Sequence, residues 1–339
     1  MILVEFIMND IFDDKKVLIT GGTGSLGTAL TKKILNTEAS TVRIYSRDEG
    51  KQTEMESEFK DERLRFLIGD VRDKSRLDRA LENIDIVIHA AALKQVPVAE
   101  YNPFEAVKTN VEGTQNLIDS CLDNNIEKIL AIGTDKAVSP FNTYGATKFL
   151  MERLIVSANK YKGEHKTKFI CVRYGNVLGS RGSVVPLFLK QIKNNKKITI
   201  TDPSMTRFTI TMNQALDAIF RALKNGKGGE VFVPKLKAYR LGDLKDVIVE
   251  LLNAKNETEI ISVRPGEKFH EALISKDELR DIFETDKDYI LVDSSLSDYT
   301  TDQQIRKTEL TEMYSSDKVE LMSHDEIKKT LIDENIFSD

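Results

Sequence analysis

The sequence predicts an α/β fold built on a doubly wound parallel sheet, and three observations carry that prediction. Short apolar runs alternate with helical patterns from residue 16 onward, as in a parallel sheet covered by helices. The first apolar run ends in a glycine-rich turn that leads into a helical pattern. The 339 residues are 40% hydrophobic, enough for a sizeable core and, by length, for about two domains.

Six apolar runs predict the strands of the sheet. They cover residues 16–20, 41–46, 64–68, 84–89, 128–132 and 169–174. Helices are predicted after the first strand, where Leu26, Leu30, Ile34 and Leu35 recur at helical spacing, and at about residues 103–123 and 144–162. Each of the last two stretches carries aliphatic residues on one side and charged residues on the other.

The regular alternation weakens beyond Gly175, which predicts a smaller and interleaved C-terminal domain. Helical patterns cover residues 184–192, 213–223 and 241–252, and a returning strand is expected at 230–234. Ser323 and Glu326 form a capping-box pattern ahead of one late helix. We therefore expect a first domain at residues 1–178, joined by a returning segment at about 212–236, and a second domain mainly at 179–339.

Charge and composition limit the class of protein. The 49 Lys and Arg residues nearly balance 54 Asp and Glu residues, for a net charge of -5, so no nucleic-acid or membrane-surface partner is expected. Cys121 and Cys171 lack CxxC spacing, and buried thiols are expected rather than a disulfide. The four histidines are scattered without metal-ligand spacing, so we expect no metal site.

The first residues do not have the pattern of a targeting segment. The apolar start, Met1 to Val4, is interrupted at Glu5 and again at Asn9 and Asp10. It lacks the basic start, long apolar core and cleavage site of a signal peptide. No later run approaches the ~20 apolar residues that span a bilayer. These features predict a soluble, cytoplasmic protein.

The turn after the first strand has the spacing of a dinucleotide-binding loop. Gly21, Gly24 and Gly27 permit a tight turn and bring backbone N–H groups against a pyrophosphate. The N-terminus of the following helix adds a favourable dipole. A Rossmann-type sheet is therefore expected, with cofactor contacts from Gly21, Thr23, Gly24, Ser25, Leu26 and Gly27.

The end of the second strand favours NADP over NAD. NAD enzymes usually place Asp or Glu there to bind the ribose hydroxyls, whereas this strand ends in Ser46 and Arg47, with Lys51 close behind. Serine can bond a 2′-phosphate, and arginine can bond it and stack beside it. Asp48 and Glu49 follow at once and compete with this interpretation.

Tyr144 and Lys148 stand four residues apart, on one face of a predicted helix. A free phenol has a pKa near 10. A neighbouring ammonium group and an oxidised nicotinamide would both favour its anion. Tyr144 is then able to take a proton from a substrate hydroxyl while hydride leaves the same carbon.

These features together resemble the extended short-chain dehydrogenases, which also have an asparagine at the position of Asn110. Six further motifs narrow the resemblance: Ser46–Glu49, His89–Lys94, Thr134–Ala137, Arg173–Val177, Gly179–Ser183 and Arg264–Lys268. They are similar to one family, the inverting UDP-N-acetylglucosamine 4,6-dehydratases, which feed pseudaminic acid and related glycan pathways. The similarity covers about residues 15–275, and the tail beyond about 285 adds little.

The motif Thr134-Asp135-Lys136 distinguishes the inverting family from its relatives. Related dehydratases that retain the C5 configuration carry Asp-Glu where this chain has Asp135 and Lys136. Epimerases lack an acid–base pair there because they eliminate no water. The alternative to a catalytic role is a purely structural one, in which Asp135 and Lys136 form a surface ion pair or cap the end of a strand.

The resemblance implies a role for each residue of this group. Tyr144 deprotonates the sugar C4 hydroxyl as hydride passes to NADP⁺. Lys136 removes the C5 proton and must be neutral to do so, so we expect its pKa to be lowered. Asp135, when protonated, donates to the departing C6 hydroxyl.

Further contacts are assigned by the same resemblance. For the UDP-sugar substrate they are Lys94, Thr134, Asp135, Asn176, Arg181, Val184, Arg207, Arg264 and Glu267, with the three arginines suited to the phosphates. For the cofactor they are Asp70, Val71, Ala90, Ala92, Lys94, Asn110, Tyr144, Lys148 and Val177, besides the loop and strand-end residues above. The family precedent also implies a homo-oligomer, either a dimer or a hexamer.

Three other functions remain open at this stage. A UDP-sugar 4-epimerase or a retaining 4,6-dehydratase would use the same fold and cofactor. A non-catalytic NADP-binding sensor would keep the fold and lose the chemistry. The intact Tyr144, Lys148, Asp135 and Lys136 argue against the sensor.

Overall fold

The computed structural model describes residues 11–293 and 305–337. The apolar start of the sequence, Met1 to Val4, for which no targeting role is predicted, lies outside these residues. The described residues form a ten-stranded sheet whose parallel part is ordered β3-β2-β1-β4-β5-β6-β10. These strands are β1 (Lys16–Thr20), β2 (Thr41–Ser46), β3 (Leu64–Ile68), β4 (Ile86–His89), β5 (Lys128–Ile132), β6 (Lys168–Val172) and β10 (Val231–Pro234). The doubly wound sheet is thereby confirmed.

Helices cover both faces of the sheet, because successive strand residues point to opposite sides. On β1, Val17 and Ile19 join one apolar cluster and Leu18 joins the other. The first face carries α1 (Ser25–Ile34), α2 (Glu49–Phe59) and α9 (Met212–Asn225). The opposite face carries α3 (Lys74–Leu81), α6 (Gly113–Asp123) and α7 (Thr143–Tyr161). The shorter α4 (Val96–Tyr101) and α5 (Pro103–Val107) precede α6.

A second region with its own apolar cluster lies beside the large sheet. Its helices are α8 (Val184–Lys193), α10 (Leu241–Leu251) and α11 (His324–Asp333). Three small sheets lie outside the large one: β7 (Asn176–Val177) with β9 (Thr206–Ile210) and β11 (Ala238–Arg240), β8 (Ile198–Ile200) with β12 (Thr258–Ile260), and β13 (Ala272–Ile274) with β17 (Tyr314–Ser315). Apolar residues of β13 and β17 pack into a cluster of the large sheet. The sequence is thus threaded several times between the two regions.

Three antiparallel strands extend the sheet beyond β10. They are β15 (Asp288–Leu291), β14 (Ile282–Glu284) and β16 (Arg306–Lys307). The sequence did not predict them, and they come from the segment assigned to the second domain. The division at residue 178 stays a prediction, although the expected returning segment does supply α9 and β10 to the sheet.

Most predicted elements are present, with shifted ends. β4 begins at Ile86, two residues late, and β6 ends at Val172, two residues early. The helix expected over 103–123 is interrupted by a π-helical turn, Lys108–Glu112. The late capping box is confirmed, because the Ser323 side chain accepts a bond from the Glu326 backbone and α11 follows.

An ion triad with two fully buried members joins three parts of the chain. Arg173, at the end of β6, contacts the Glu152 carboxylate on α7 and the Glu278 carboxylate, 2.7 Å away in a 3₁₀ turn (Asp277–Asp281). Neither the arginine nor Glu152 has any solvent exposure. Removing one member of such a group typically costs about 3–5 kcal/mol, because an uncompensated charge stays buried.

Both cysteines are buried thiols, as expected. Burial raises the pKa of Cys121 and of Cys171, so neither is a reactive thiolate at neutral pH. Across residues 11–293 and 305–337, none of the helices combines the length and apolar character needed to cross a bilayer.

Candidate active site

One cleft of about 1160 Å³ opens at the carboxyl ends of the parallel strands. Single small-molecule sites usually measure ~300–1,000 Å³, so this volume suits two nucleotides side by side. Every predicted site residue lines the cleft except Asp135 and Asn110. The position of the cleft and the residues that line it agree with the rule that open parallel sheets bind ligands beyond the carboxyl ends of their strands.

The glycine loop leaves no room for side chains. Gly21 has φ of +67°, and a Cβ atom there would lie 2.8 Å from the Ala91 nitrogen. A Cβ atom on Gly27 would collide with the Gly22 backbone. Gly24 is the N-cap of α1, with no side chain covering the helix N-terminus. The backbone therefore forms an open cradle of N–H groups, and it fits a pyrophosphate.

The end of β2 presents a hydroxyl and a guanidinium group to the same cleft. The Ser46 hydroxyl accepts a bond from Gln52 at 3.0 Å, which leaves its O–H able to donate. The Arg47 guanidinium lies 3.4 Å from the Asp70 carboxylate. Asp48, the competing ribose ligand, caps α2 and accepts bonds from the Lys51 backbone and ammonium groups. These bonds from Lys51 lower the pKa of Asp48.

Tyr144 is placed by the tight start of α7. Asn142 caps this helix by accepting the Gly145 N–H at 2.7 Å. Any side chain on Gly145 would collide with the Lys136 carbonyl, so this glycine brings α7 against the turn after β5. As a result, the Tyr144 phenol lies beside the Thr134 side chain, which favours the ionised form of the phenol.

The expectation that Lys148 lowers the pKa of Tyr144 is wrong for this structure. Burial raises the pKa of Tyr144, and the cation that partly opposes the rise is Lys136. The Lys148 ammonium points elsewhere, donating to the Ile132 carbonyl at 2.6 Å. Burial lowers the pKa of Lys148 to about 8.

Lys136 lies at the centre of a polar cluster. Its ammonium group donates to Asp135 at 3.0 Å and to Asn176 at 3.2 Å, and it lies 3.5 Å from the Glu271 carboxylate. Although burial opposes it, the attraction of Asp135 and Glu271 raises the pKa of Lys136. The expected lowered pKa is therefore wrong: the buried Asp135 and Glu271 side chains beside the lysine favour its ammonium form, Asp135 from 3.0 Å.

Asp135 and Asn110 lie behind the surface of the cleft. The Asp135 side chain is 1% exposed, against 20% for Lys136, and it also accepts a bond from Thr134 at 3.0 Å. The Asn110 amide bonds both backbone groups of Leu93 and the Thr147 hydroxyl. Direct contact of these two residues with ligands stays a prediction.

Glu271 was not among the predicted site residues. It precedes β13, lines the cleft and is 4% exposed. Its backbone is fixed by Ser316, whose hydroxyl accepts the Glu271 N–H at 3.0 Å and whose N–H donates to the Glu271 carbonyl at 2.8 Å. A signal was present, since a lone acidic residue stands directly before the buried run Ala272–Ile274.

The three predicted phosphate-binding arginines differ in their surroundings. Arg207 is buried, and its guanidinium donates to the carbonyls of Thr206 and Phe269 and lies 3.3 Å from Glu267. Arg181 and Arg264 are exposed at the cleft rim. One arginine is therefore a fixed charge, and the other two have side chains that reach solvent.

The cleft fits a nicotinamide dinucleotide beside a second ligand. The glycine cradle after β1 suits the pyrophosphate, and the Lys136 cluster follows β5, two strands away in the sheet, with both lining the same cleft. The fold and this site define a dinucleotide-binding protein of the extended short-chain dehydrogenase/reductase type.

Comparison with known proteins places the chain more closely. It belongs to a family described as polysaccharide biosynthesis protein, whose family model matches residues 17–293. A Campylobacter jejuni relative named UDP-N-acetylglucosamine 4,6-dehydratase (inverting) is 47% identical over 283 residues, 83% of this chain and 84% of the relative.

Two further relatives match almost the whole chain. A Rickettsia rickettsii protein named UDP-glucose 4-epimerase is 39% identical over 95% of this chain and 96% of its own length. The X-ray structure of Pen from Bacillus thuringiensis is 42% identical, with a TM-score of 0.92 over 96% of this chain and 99% of that one. The resemblance stated from the sequence motifs is thereby confirmed at the level of the family.

Proposed function

We propose that this protein is a C5-inverting UDP-N-acetylglucosamine 4,6-dehydratase that works with bound NADP. The observation that carries the proposal is the Asp135–Lys136 pair, 3.0 Å apart and next to Tyr144 at the cleft. Elimination of water needs a proton acceptor at C5 and a proton donor at C6 in addition to the base at C4. This cluster offers a group for each of the three.

When bound by the glycine loop and by Ser46 and Arg47, a nicotinamide dinucleotide would supply the hydride acceptor at C4 and the hydride donor at C6. The positive charge of an oxidised nicotinamide and the nearby Lys136 ammonium would favour the Tyr144 phenolate, which then accepts the C4 hydroxyl proton. The C4 ketone acidifies the C5–H bond, and neutral Lys136 takes that proton. The C6 hydroxyl leaves as water with a proton that comes from Asp135, and a proton from solvent then reaches C5 on the opposite face as hydride returns to C6.

Because the pKa of Lys136 is raised, the neutral amine has to form by proton transfer to another group within the site. The lysine already donates a hydrogen bond to Asp135, so transfer of that proton gives a neutral amine and a carboxylic acid in one step. Both groups are then in the form that the elimination needs. Activity should accordingly not depend on loss of a lysine proton to water.

A UDP-sugar 4-epimerase is the second candidate, because the Rickettsia relatives carry that name. An epimerase needs only the oxidation and reduction at C4, which Tyr144 and the cofactor supply. The Lys136 cluster has no task in that reaction, although it is buried, costly to assemble and directed at the cleft. This observation favours the dehydratase.

The product made from UDP-N-acetylglucosamine in D₂O distinguishes these functions. We expect a 4-keto-6-deoxy sugar with inverted configuration at C5 and deuterium at C5, measured by NMR. A 4-epimer without loss of water would support the epimerase instead. A 4-keto product with retained C5 configuration would assign the chain to the retaining dehydratases.

Replacing Arg47 with Ala should weaken NADP binding by about 10–100-fold, because a charge-assisted bond to phosphate is lost. NAD lacks the 2′-phosphate and serves as the matched control ligand, so its affinity should change little. Isothermal titration of cofactor-stripped protein measures both. Equal losses for the two cofactors would contradict the placement of the 2′-phosphate at Ser46 and Arg47.

A further inference from the structure

Glu271 occupies an unusual position for an acidic side chain. It lies 135 residues after Lys136 in the chain, yet its Oε1 atom is 3.5 Å from the Lys136 ammonium group. Within the described ranges its Oε2 atom has no hydrogen-bond partner and is closed off from solvent. The Lys268 ammonium, 4.0 Å from Oε2, is turned toward the Val138 carbonyl at 2.8 Å. An ionised carboxylate with an unsatisfied buried oxygen is unfavourable, whereas a protonated one is tolerated.

Asp135 is equally buried, and its Oδ2 atom likewise has no hydrogen-bond partner within the described ranges, but its other oxygen is satisfied, which distinguishes it from Glu271. Its Oδ1 atom accepts bonds from the Thr134 hydroxyl and the Lys136 ammonium, both at 3.0 Å. Hydrogen bonds to the charged form favour that form. Lys136 therefore lies between one carboxylate that binds it closely and a second carboxyl group that is poorly solvated.

We propose that Glu271 is held protonated and thereby allows Lys136 to become neutral by passing its proton to Asp135. The inference rests on the proposed function. Glu271 acts through Lys136 and is a positioning residue, because its charge decides which form of the lysine is stable.

The proton count explains the effect. With Glu271 protonated, the ammonium–carboxylate pair of Lys136 and Asp135 converts to an amine and an acid with no change in total charge. The amine then accepts the C5 proton, and the acid proton leaves with the C6 hydroxyl as water, which restores the original ion pair. With Glu271 ionised, a second negative charge at 3.5 Å favours the ammonium form and opposes the conversion.

The groups that face Glu271 come from several elements. They are Lys136 and Asp135 after β5, Arg207 on β9, Lys268 ahead of β13, and Tyr144 on α7. Burial raises the pKa of Glu271 despite the attraction of Lys136, Arg207 and Lys268. Raising the pH through this value converts the protonated form into the ionised form, so activity should fall on the alkaline side.

The test compares wild type with Glu271→Gln, which keeps the size of the side chain and cannot ionise. Wild-type dehydration of UDP-N-acetylglucosamine should fall by about tenfold per pH unit above the pKa of Glu271. Glu271→Gln should not show this loss of activity at high pH. Near the wild-type pH optimum its rate should stay within ~10²-fold of the wild-type rate, less than the loss expected when an acid–base group is removed. The matched control is Glu284→Gln at the far edge of the sheet, a buried glutamate bonded to Arg306, and its pH profile should follow wild type.

Infrared difference spectra of wild type minus Glu271→Gln provide a readout that needs no turnover. A protonated-carboxyl band at neutral pH, present in wild type alone, supports the proposal. The proposal is overturned if that band is missing, if Glu271→Gln keeps the alkaline fall, or if folded Glu271→Gln is inactive at every pH. If wild type removes no water from the sugar, the proposed function fails, and the infrared titration still decides the charge of Glu271.

Discussion

Tyr144→Phe is expected to lower dehydration by about 10²–10⁴-fold while leaving binding of the UDP-sugar largely intact. The phenol moves a proton during C4 oxidation, so its contribution is made mainly in the transition state. Phenylalanine keeps the ring that packs with Ala99 and Ala106, and the fold should survive. Steady-state rates and isothermal titration with UDP-N-acetylglucosamine measure the two effects separately.

Tyr174→Phe is the matched control, because Tyr174 is also a buried tyrosine that lines the same cleft. Its rate should stay within a few-fold of wild type. If Tyr144→Phe kept more than about a tenth of the wild-type rate, Tyr144 would not be the base at C4.

Lys136→Met should separate the first half of the reaction from the second. The methionine fills similar space and cannot accept the C5 proton, so C4 oxidation should proceed while elimination fails. We expect transient NADPH absorbance on mixing with UDP-N-acetylglucosamine, no 4-keto-6-deoxy product, and no exchange of the C5 proton in D₂O. The rate of product formation should fall by at least ~10²-fold.

Lys128→Met provides the comparison, because Lys128 begins the strand that ends before Lys136 and donates to the Leu223 carbonyl away from the cleft. It should eliminate water at the wild-type rate. Unchanged C5 exchange in Lys136→Met would remove the lysine from its proposed role and leave Asp135 or a bound water as the base.

The parallel sheet was predictable because its strands are buried apolar runs separated by helical patterns. The edge strands were not, since β14 and β16 are only three and two residues long and carry charged side chains. α2 gave no apolar stripe, because only Gln52 and Met55 are buried along it. Short antiparallel edges and polar helices carry little periodic signal, so tertiary pairing decides them.

The site was predictable where a local motif carries it and less so where distant segments meet. The glycine loop and the Tyr144 helix are each contained in a few consecutive residues. The charge of Lys136 depends on Glu271, which enters from a different part of the chain and is fixed by Ser316 in the tail. The sequence shows a lysine suited to act as a base, and only the folded arrangement shows which carboxyl groups set its protonation.

The triad of Arg173, Glu152 and Glu278 has a consequence for sequence divergence. Losing one member leaves an uncompensated charge in the protein interior, whereas replacing all three by well-packed apolar residues is often neutral or stabilising. Single substitutions at these positions should therefore be purged, and accepted changes should occur together. The three residues lie up to 126 positions apart, from Glu152 to Glu278. They should nevertheless change together in evolution, because they jointly connect β6, α7 and the 3₁₀ turn.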